Sequence, residues 1–143
     1  MPGVQTCVFC KIASGEHAAA VVLETDATIS FLDHRPLFPG HVLVIPRDHH
    51  ETIEDLPDDL LGPLFEVVQR ASRAVRTAME APGSFVAANN TVSQSVPHLH
   101  IHVVPRRPRD GLRGFFWPRN PYDDAAHIEA VRVRVADAFR SDR

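Results

Sequence analysis

The stretch SVPHLHIHVVPR carries His98, His100 and His102 at alternate positions, a third of the nine histidines in the chain. Imidazole near neutral pH can attack phosphorus, exchange a proton with a leaving group, or bind a metal. Lysine or serine would need more help from its surroundings to attack at that pH. Side chains alternate along a strand, so the three imidazoles share one face at spacings of ~6–7 Å. Leu99, Ile101 and Val103 take the other face and point at a core. Two blander readings compete: three half-exposed polar residues that happen to be histidine, or a three-histidine metal site. The second is weakened because a closed zinc site usually takes four ligands.

The surrounding elements must hold that strand in place. Val21 to Leu23 and Thr28 to Leu32 read as short strands, as does HVLVIP, His41 to Pro46, after the turn-like RPLFPG. Leu60, Leu61, Leu64, Phe65, Val68 and Val75 follow the period of an amphipathic helix. Pro57, Asp58 and Asp59 suit its first turn, and Pro82-Gly83 lies past its end. Gly62 and Pro63 fall near its start, where a missing N–H should cost little. Ser84 to Asn89 returns to strand character, His98 to Val104 is the strongest strand, and Pro97 stands just before it. Ala126, Ile128, Val131, Val135 and Phe139 suggest a C-terminal helix. The fold class expected is α+β, a mostly antiparallel sheet of about five strands with one long helix and a C-terminal helix.

Chain-wide properties bound the function. The 143 residues fit one domain, with 44% hydrophobic and 23% charged residues, enough for a single core. A net charge of −3 argues against a nucleic-acid or membrane surface, so any phosphate must be captured by local groups. No signal peptide or membrane span is apparent, which makes the cytoplasm the expected compartment. The two cysteines, Cys7 and Cys10, form a C-x-x-C, which in a reducing compartment reads as a metal half-site or redox motif rather than a structural disulfide. A thioredoxin-like role is disfavoured because no strand-then-helix context surrounds them.

Three separated segments, CVFCKIASGE, FLDHRPLFPGHVLVIPRDHHETIEDL and NNTVSQSVPHLHIHVVPR, resemble in order those of the histidine triad (HIT) superfamily of nucleotide hydrolases and transferases. The resemblance implies a single HIT domain over 1–143, with a core at about 7–106 and a C-terminal loop and helix at 107–143. It implies attack by His100 on the α-phosphorus of a dinucleoside polyphosphate or nucleoside phosphoramidate, giving a covalent nucleotidyl-histidine that water hydrolyses. His102 would hydrogen-bond a phosphate oxygen or assist the leaving group, and His98 would orient the nucleophile. No catalytic metal is expected.

The substrate-binding residues implied are Asp33 for the ribose hydroxyls, His41 closing the site from the neighbouring strand, and Asn89, Gln94 and Ser95 before the triad. Left to itself, Asp33 could equally be a turn aspartate capping HRP, and His41 a core histidine satisfied by a backbone carbonyl. Asn90 competes with Asn89. Ser93 stands where the family usually has glycine, so the unusual backbone angle there is expected to relax. The base pocket would involve Phe9, Ile12 and Leu32.

Zinc-containing relatives of the bacterial type imply a structural zinc on Cys7, Cys10, His49 and His98, two thiolates and two imidazoles making a neutral tetrahedral set. His50 competes for the third place, and a reduced C-x-x-C without metal is the alternative. The resemblance also implies a homodimer. A different class of function, a nucleotide-binding regulatory or scaffold protein with incidental turnover, is opposed by the intact His100. The segment RRPRDGLRGFFWPRNP, residues 106 to 121, reads as a loop at the substrate or subunit edge.

Overall fold

The computed structural model describes residues 6–112 and 119–142. Two compact units divide the chain, Met1–Asp110 and Gly111–Arg143. The first holds a five-stranded antiparallel sheet: β1 (Val21–Glu24), β2 (Thr28–Leu32), β3 (Val42–Pro46), β4 (Gly83–Ala87) and β5 (Ile101–Arg106), in spatial order β1-β2-β3-β5-β4. Helix α1 (Val8–Ala13) precedes the sheet, and α2 (Asp58–Ala78) lies between β3 and β4.

Strand β3 is buried at all five positions because the sheet is covered on both faces. Val42, Val44, Leu99, Ile101 and Val103 pack with Leu64, Val67 and Val68 of α2. The alternate residues Leu43 and Ile45 join Ile29 and Phe31 against Cys7, Phe9 and Ile12 of the α1 region. The two-residue alternation leading into β5 thus sends Leu99, Ile101 and Val103 to the long helix and the histidines to the α1 side.

Three expectations change in detail. The histidine strand begins at Ile101, not His98, and runs to Arg106. Pairing with β3 spans Val42↔Val103 to Val44↔Ile101. Pro46 has no N–H to extend the ladder, and the Leu99 N–H donates instead to the His50 carbonyl at 2.7 Å. Pro63 sits inside α2, six residues in, where its missing N–H deprives the Asp59 carbonyl of a partner the first turn would not have needed. The positive backbone angle at Ser93 does not relax: φ is +62°, with Thr91 at +70° and no glycine to ease either.

The second unit holds α3 (Ala125–Asp142), which buries no residue; Ile128, Val135 and Phe139 are 49%, 51% and 78% exposed. Of the 106–121 segment, residues 113–118 lie outside the described residues. At its start Arg106 makes an ion pair with Asp110 at 2.6 Å.

Candidate active site

The sheet brings together residues far apart in sequence. Asp33 follows β2 and His41 precedes β3, and the Asp33 N–H donates to the His41 carbonyl at 2.9 Å, closing the connection. Gly40, just before His41, takes a backbone angle of φ +95° that favours glycine, and a Cβ there would lie 2.5 Å from Met79 Cγ. Across the ladder, Leu43 pairs with His102, so that histidine meets His41 and Asp33 at one edge of a cleft.

Burial chiefly, helped by mutual repulsion with the rings of His100 and His41, pushes the His102 imidazole down to about 4. Burial also takes His98 down to about 4 and lowers His41. At neutral pH these three rings are therefore uncharged, each with one N–H, and their backbone partners decide which nitrogen carries it.

The Leu37 N–H donates to His41 Nδ1 at 3.0 Å, so the His41 proton is on Nε2. That Nε2–H lies 3.0 Å from His102 Nδ1 and donates to it, leaving the His102 proton on Nε2. At His100, Nδ1 lies 2.7 Å from the His98 carbonyl, which only accepts; Nδ1 donates and Nε2 keeps its lone pair. At His98, Nε2 donates to the Pro46 carbonyl at 2.8 Å, freeing Nδ1. One ring thus offers a nucleophilic nitrogen and the next a hydrogen-bond donor. The orienting group for His100 is the carbonyl of His98, not its ring.

His100 and His102 line an open cleft of about 860 Å³, with Phe9, Ile12, Leu32 and Phe31 forming an apolar wall and Asp33 and Ser95 supplying polar groups. The three residues expected around the base are all there. Asp33 also caps its own turn, Oδ1 accepting the Arg35 N–H at 2.9 Å, while Oδ2 lies 3.7 Å from His41 Nε2. His41 itself is buried behind the cleft at 2% exposure. Its satisfying backbone partner is an N–H rather than a carbonyl.

The loop before the triad divides its residues differently. Asn89 Nδ2 donates to the Ser93 carbonyl at 3.2 Å. Gln94 braces the loop, accepting from the Thr91 N–H at 2.8 Å and donating to the Glu51 carbonyl at 2.6 Å. The Asn90 side chain accepts the Ile53 N–H at 2.8 Å, holding the short turn Ile53–Asp55. Of the loop residues expected to bind substrate, Ser95 lines the cleft, next to Val96, while Asn89 and Gln94 do not.

Behind the triad, donor atoms of Cys7, Cys10, His49 and His98 all lie within 4.8 Å of one another. Nδ1 of His98 is 3.4 Å from Cys7 Sγ and 3.5 Å from Cys10 Sγ, and His49 Nδ1 is 3.2 Å from Cys10 Sγ. Zinc–sulfur bonds of about 2.3 Å and zinc–nitrogen bonds of about 2.0–2.1 Å at tetrahedral angles place sulfur and nitrogen about 3.5 Å apart. The donor set fits that cation, and His98 presents the nitrogen with a lone pair. Burial, then the Cys7 sulfur, pushes the Cys10 thiol up to about 11, so a bound cation would be what holds that sulfur as a thiolate at neutral pH. His49 rather than His50 joins the cluster.

A second grouping, Asp33, His41 and His102, is compact enough for a metal. Its nitrogens are already committed: a metal on His41 Nε2 would force the proton onto Nδ1, against the Leu37 N–H. The carbonyl and amide partners that set these tautomers are backbone groups, so no residue type in the sequence signals them.

The HIT domain family profile matches residues 14–109. The adenosine 5'-monophosphoramidase of Candida albicans is 34% identical over 124 residues, covering 82% of each chain. A crystal structure of a HIT family member from Bacillus subtilis superposes with a TM-score of 0.84 at 33% identity, covering 92% of this chain and 96% of the other. A Zn-bound histidine triad family protein from Mycobacterium smegmatis superposes with a TM-score of 0.72 at 35% identity, over 98% and 100% of the two chains.

Proposed function

The chain belongs to the HIT domain family, and from that premise we propose that His100 carries out its nucleotide hydrolase chemistry as a covalent nucleophile. The enzyme cleaves at the α-phosphorus of a nucleotide, as the phosphoramidase name of its Candida relative supports. The observation that carries the reading is the 2.7 Å bond from His100 Nδ1 to the His98 carbonyl, which leaves Nε2 free in a ring lining the cleft.

His100 Nε2 attacks the α-phosphorus, the nitrogen–phosphorus bond forms, and the leaving group departs with the electron pair of its bond to phosphorus and a proton taken from solvent. Nδ1 keeps its proton, so the intermediate is a nucleotidyl-imidazolium steadied by the His98 carbonyl. The Nε2–H of His102 donates to a phosphate oxygen as charge builds there. Water then attacks phosphorus and gives up a proton to solvent, and His100 leaves as a neutral imidazole. Asp33 Oδ2 suits the ribose hydroxyls, Ser95 the phosphate, and the Phe9–Ile12–Leu32 wall the base. Asn89 and Gln94 support the phosphate loop from behind.

Cys7, Cys10, His49 and His98 would hold a structural zinc, which supplies a cross-link between the N-terminal segment and the triad. The Zn-bound neighbour and the donor spacing support this. A single domain, a cytoplasmic location and a homodimer complete the reading; for the last, β4 is a sheet edge with Val86 43% exposed. A regulatory protein with incidental turnover has no need of a preset nucleophile.

The test is rapid-quench trapping of the adduct from an adenosine phosphoramidate in base, where a phosphorus–nitrogen bond survives, followed by peptide mass mapping at alkaline pH. The expected modification is on His100. His100→Ala should bind nucleotide and lose the adduct with at least ~10³-fold of turnover; wild-type turnover in that variant would refute the proposal.

A further inference from the structure

Resting on that reading, we propose that the Cys7–Cys10–His49–His98 centre is a positioning device for the nucleophile, and that oxidation of its two thiolates switches the enzyme off. His98 belongs to both sites. Its ring faces the two sulfurs through Nδ1 and is tethered to Pro46 through Nε2, while its carbonyl holds the proton of His100. Residues 98–100 precede the β5 ladder, which starts at Ile101, so the peptide carrying the His98 carbonyl is held from outside the ladder, through the Leu99 N–H on the carbonyl of His50, the neighbour of His49. The His98 ring, clamped at both nitrogens, is a second hold on the same residue.

A second path runs through Phe9, between the two cysteines in sequence. Its ring meets those of His100 and His98 edge-on, at centroid distances of 5.1 and 5.9 Å, and lines the cleft. Helix α1 is six residues long, too short to hold itself by its own hydrogen bonds. Besides the buried side chains of Phe9 and Ile12, its anchors are the sulfurs of Cys7 and Cys10. Releasing them frees the base wall and the nucleophile's support together.

The sulfurs are placed for that release. They sit one turn apart, with the Cys10 N–H donating to Cys7 Sγ at 3.4 Å, and Cys10 is only part-buried. Hydrogen peroxide would take two electrons from the thiolate pair. A Cys7–Cys10 bond forms, the peroxide oxygen–oxygen bond breaks, two protons are consumed to give two waters, and zinc departs as the dication.

The experiment uses the full chain purified without chelator, in three states: untreated, after hydrogen peroxide, and after dithiothreitol with added zinc. It reads zinc release with a colorimetric chelator, the His100 ring-nitrogen chemical shifts by NMR, and the single-turnover rate of adduct formation from adenosine phosphoramidate. Peroxide is expected to release one zinc per chain. The His100 signals should move from a pure Nδ1–H form to a mixture, and adduct formation should fall roughly tenfold or more, all restored in the third state. Cys10→His keeps a donor at that corner but cannot form the disulfide, so peroxide should leave its own rate unchanged. An untreated protein that forms no adduct would refute the nucleotidyl-histidine reading and this proposal with it. An unchanged tautomer and adduct rate after zinc has left, or a zinc-free preparation reacting at full rate, would overturn this proposal alone.

Discussion

His41 touches no cleft surface, yet its replacement should change catalysis in a way that depends on which of its two hydrogen bonds survives. Nδ1 accepts from the Leu37 N–H and Nε2 donates to His102 Nδ1. His41→Gln places an amide N–H near the old Nε2 and keeps the donor to His102. His41→Asn places its oxygen near the old Nδ1, satisfying Leu37 but leaving His102 without a donor. A buried polar group stripped of its partner costs about 1–3 kcal/mol. In the asparagine variant that penalty falls on the His102 tautomer, which then turns a lone pair toward the phosphate in part of the molecules. Converted to rate, about 1–3 kcal/mol is a fall of about 5- to 150-fold in kcat/KM. In the glutamine variant the same penalty falls on the Leu37 N–H, so it should lose stability by about 1–3 kcal/mol while kcat/KM stays within about tenfold of wild type. Steady-state kinetics on adenosine phosphoramidate and urea unfolding of both proteins read the two effects separately. Equal rates in the two variants, or a faster asparagine variant, would show that the His41–His102 bond does not set the donor.

Ser30, 1% exposed on β2, has a buried hydroxyl with no partner among the described residues. Ser30→Ala should therefore stabilise the protein by about 1–2 kcal/mol, seen as a raised melting temperature by calorimetry; an unchanged or lowered value would show that the hydroxyl is satisfied. The depressed His102 ring predicts acid sensitivity with a definite sign. Its native pKa of about 4 lies below the ordinary 6.5, so protons bind the unfolded chain first. The stability it contributes is complete above about pH 6.5 and is lost as pH falls toward 4, by at most about 3 kcal/mol and less for its partial exposure. Urea unfolding at pH 7 and 4.5 should show that loss in wild type and a smaller one in His102→Asn; identical losses would count against it.

Much of the fold was legible because periodicity reports burial directly. Thr28–Leu32 reads as a strand, although Thr28 and Ser30 are buried along with its apolar residues; the three-and-four spacing gives α2, with Val67 buried and Phe65 left exposed, and Leu99, Ile101 and Val103 do face the long helix. The start of the histidine strand was not legible, since it depends on a partner strand ending in a proline that cannot donate. The residue types carried the chemistry: His98, His100, His102 and the cysteine pair stood out by type and spacing, the apolar wall came from the family resemblance, and the tertiary structure brings them to one place.

What the sequence determined by itself was the supply of imidazoles, thiols and a carboxylate, and the alternation that puts the imidazoles on one face. Tertiary structure decided which nitrogen of each ring is free, which histidine joins the sulfurs, and which loop side chains reach the cleft. Those choices are made by the carbonyls of His98 and Pro46 and the amide of Leu37. Every residue but proline carries the same backbone groups, so only their placement in space can tell one imidazole to attack and its neighbour to donate.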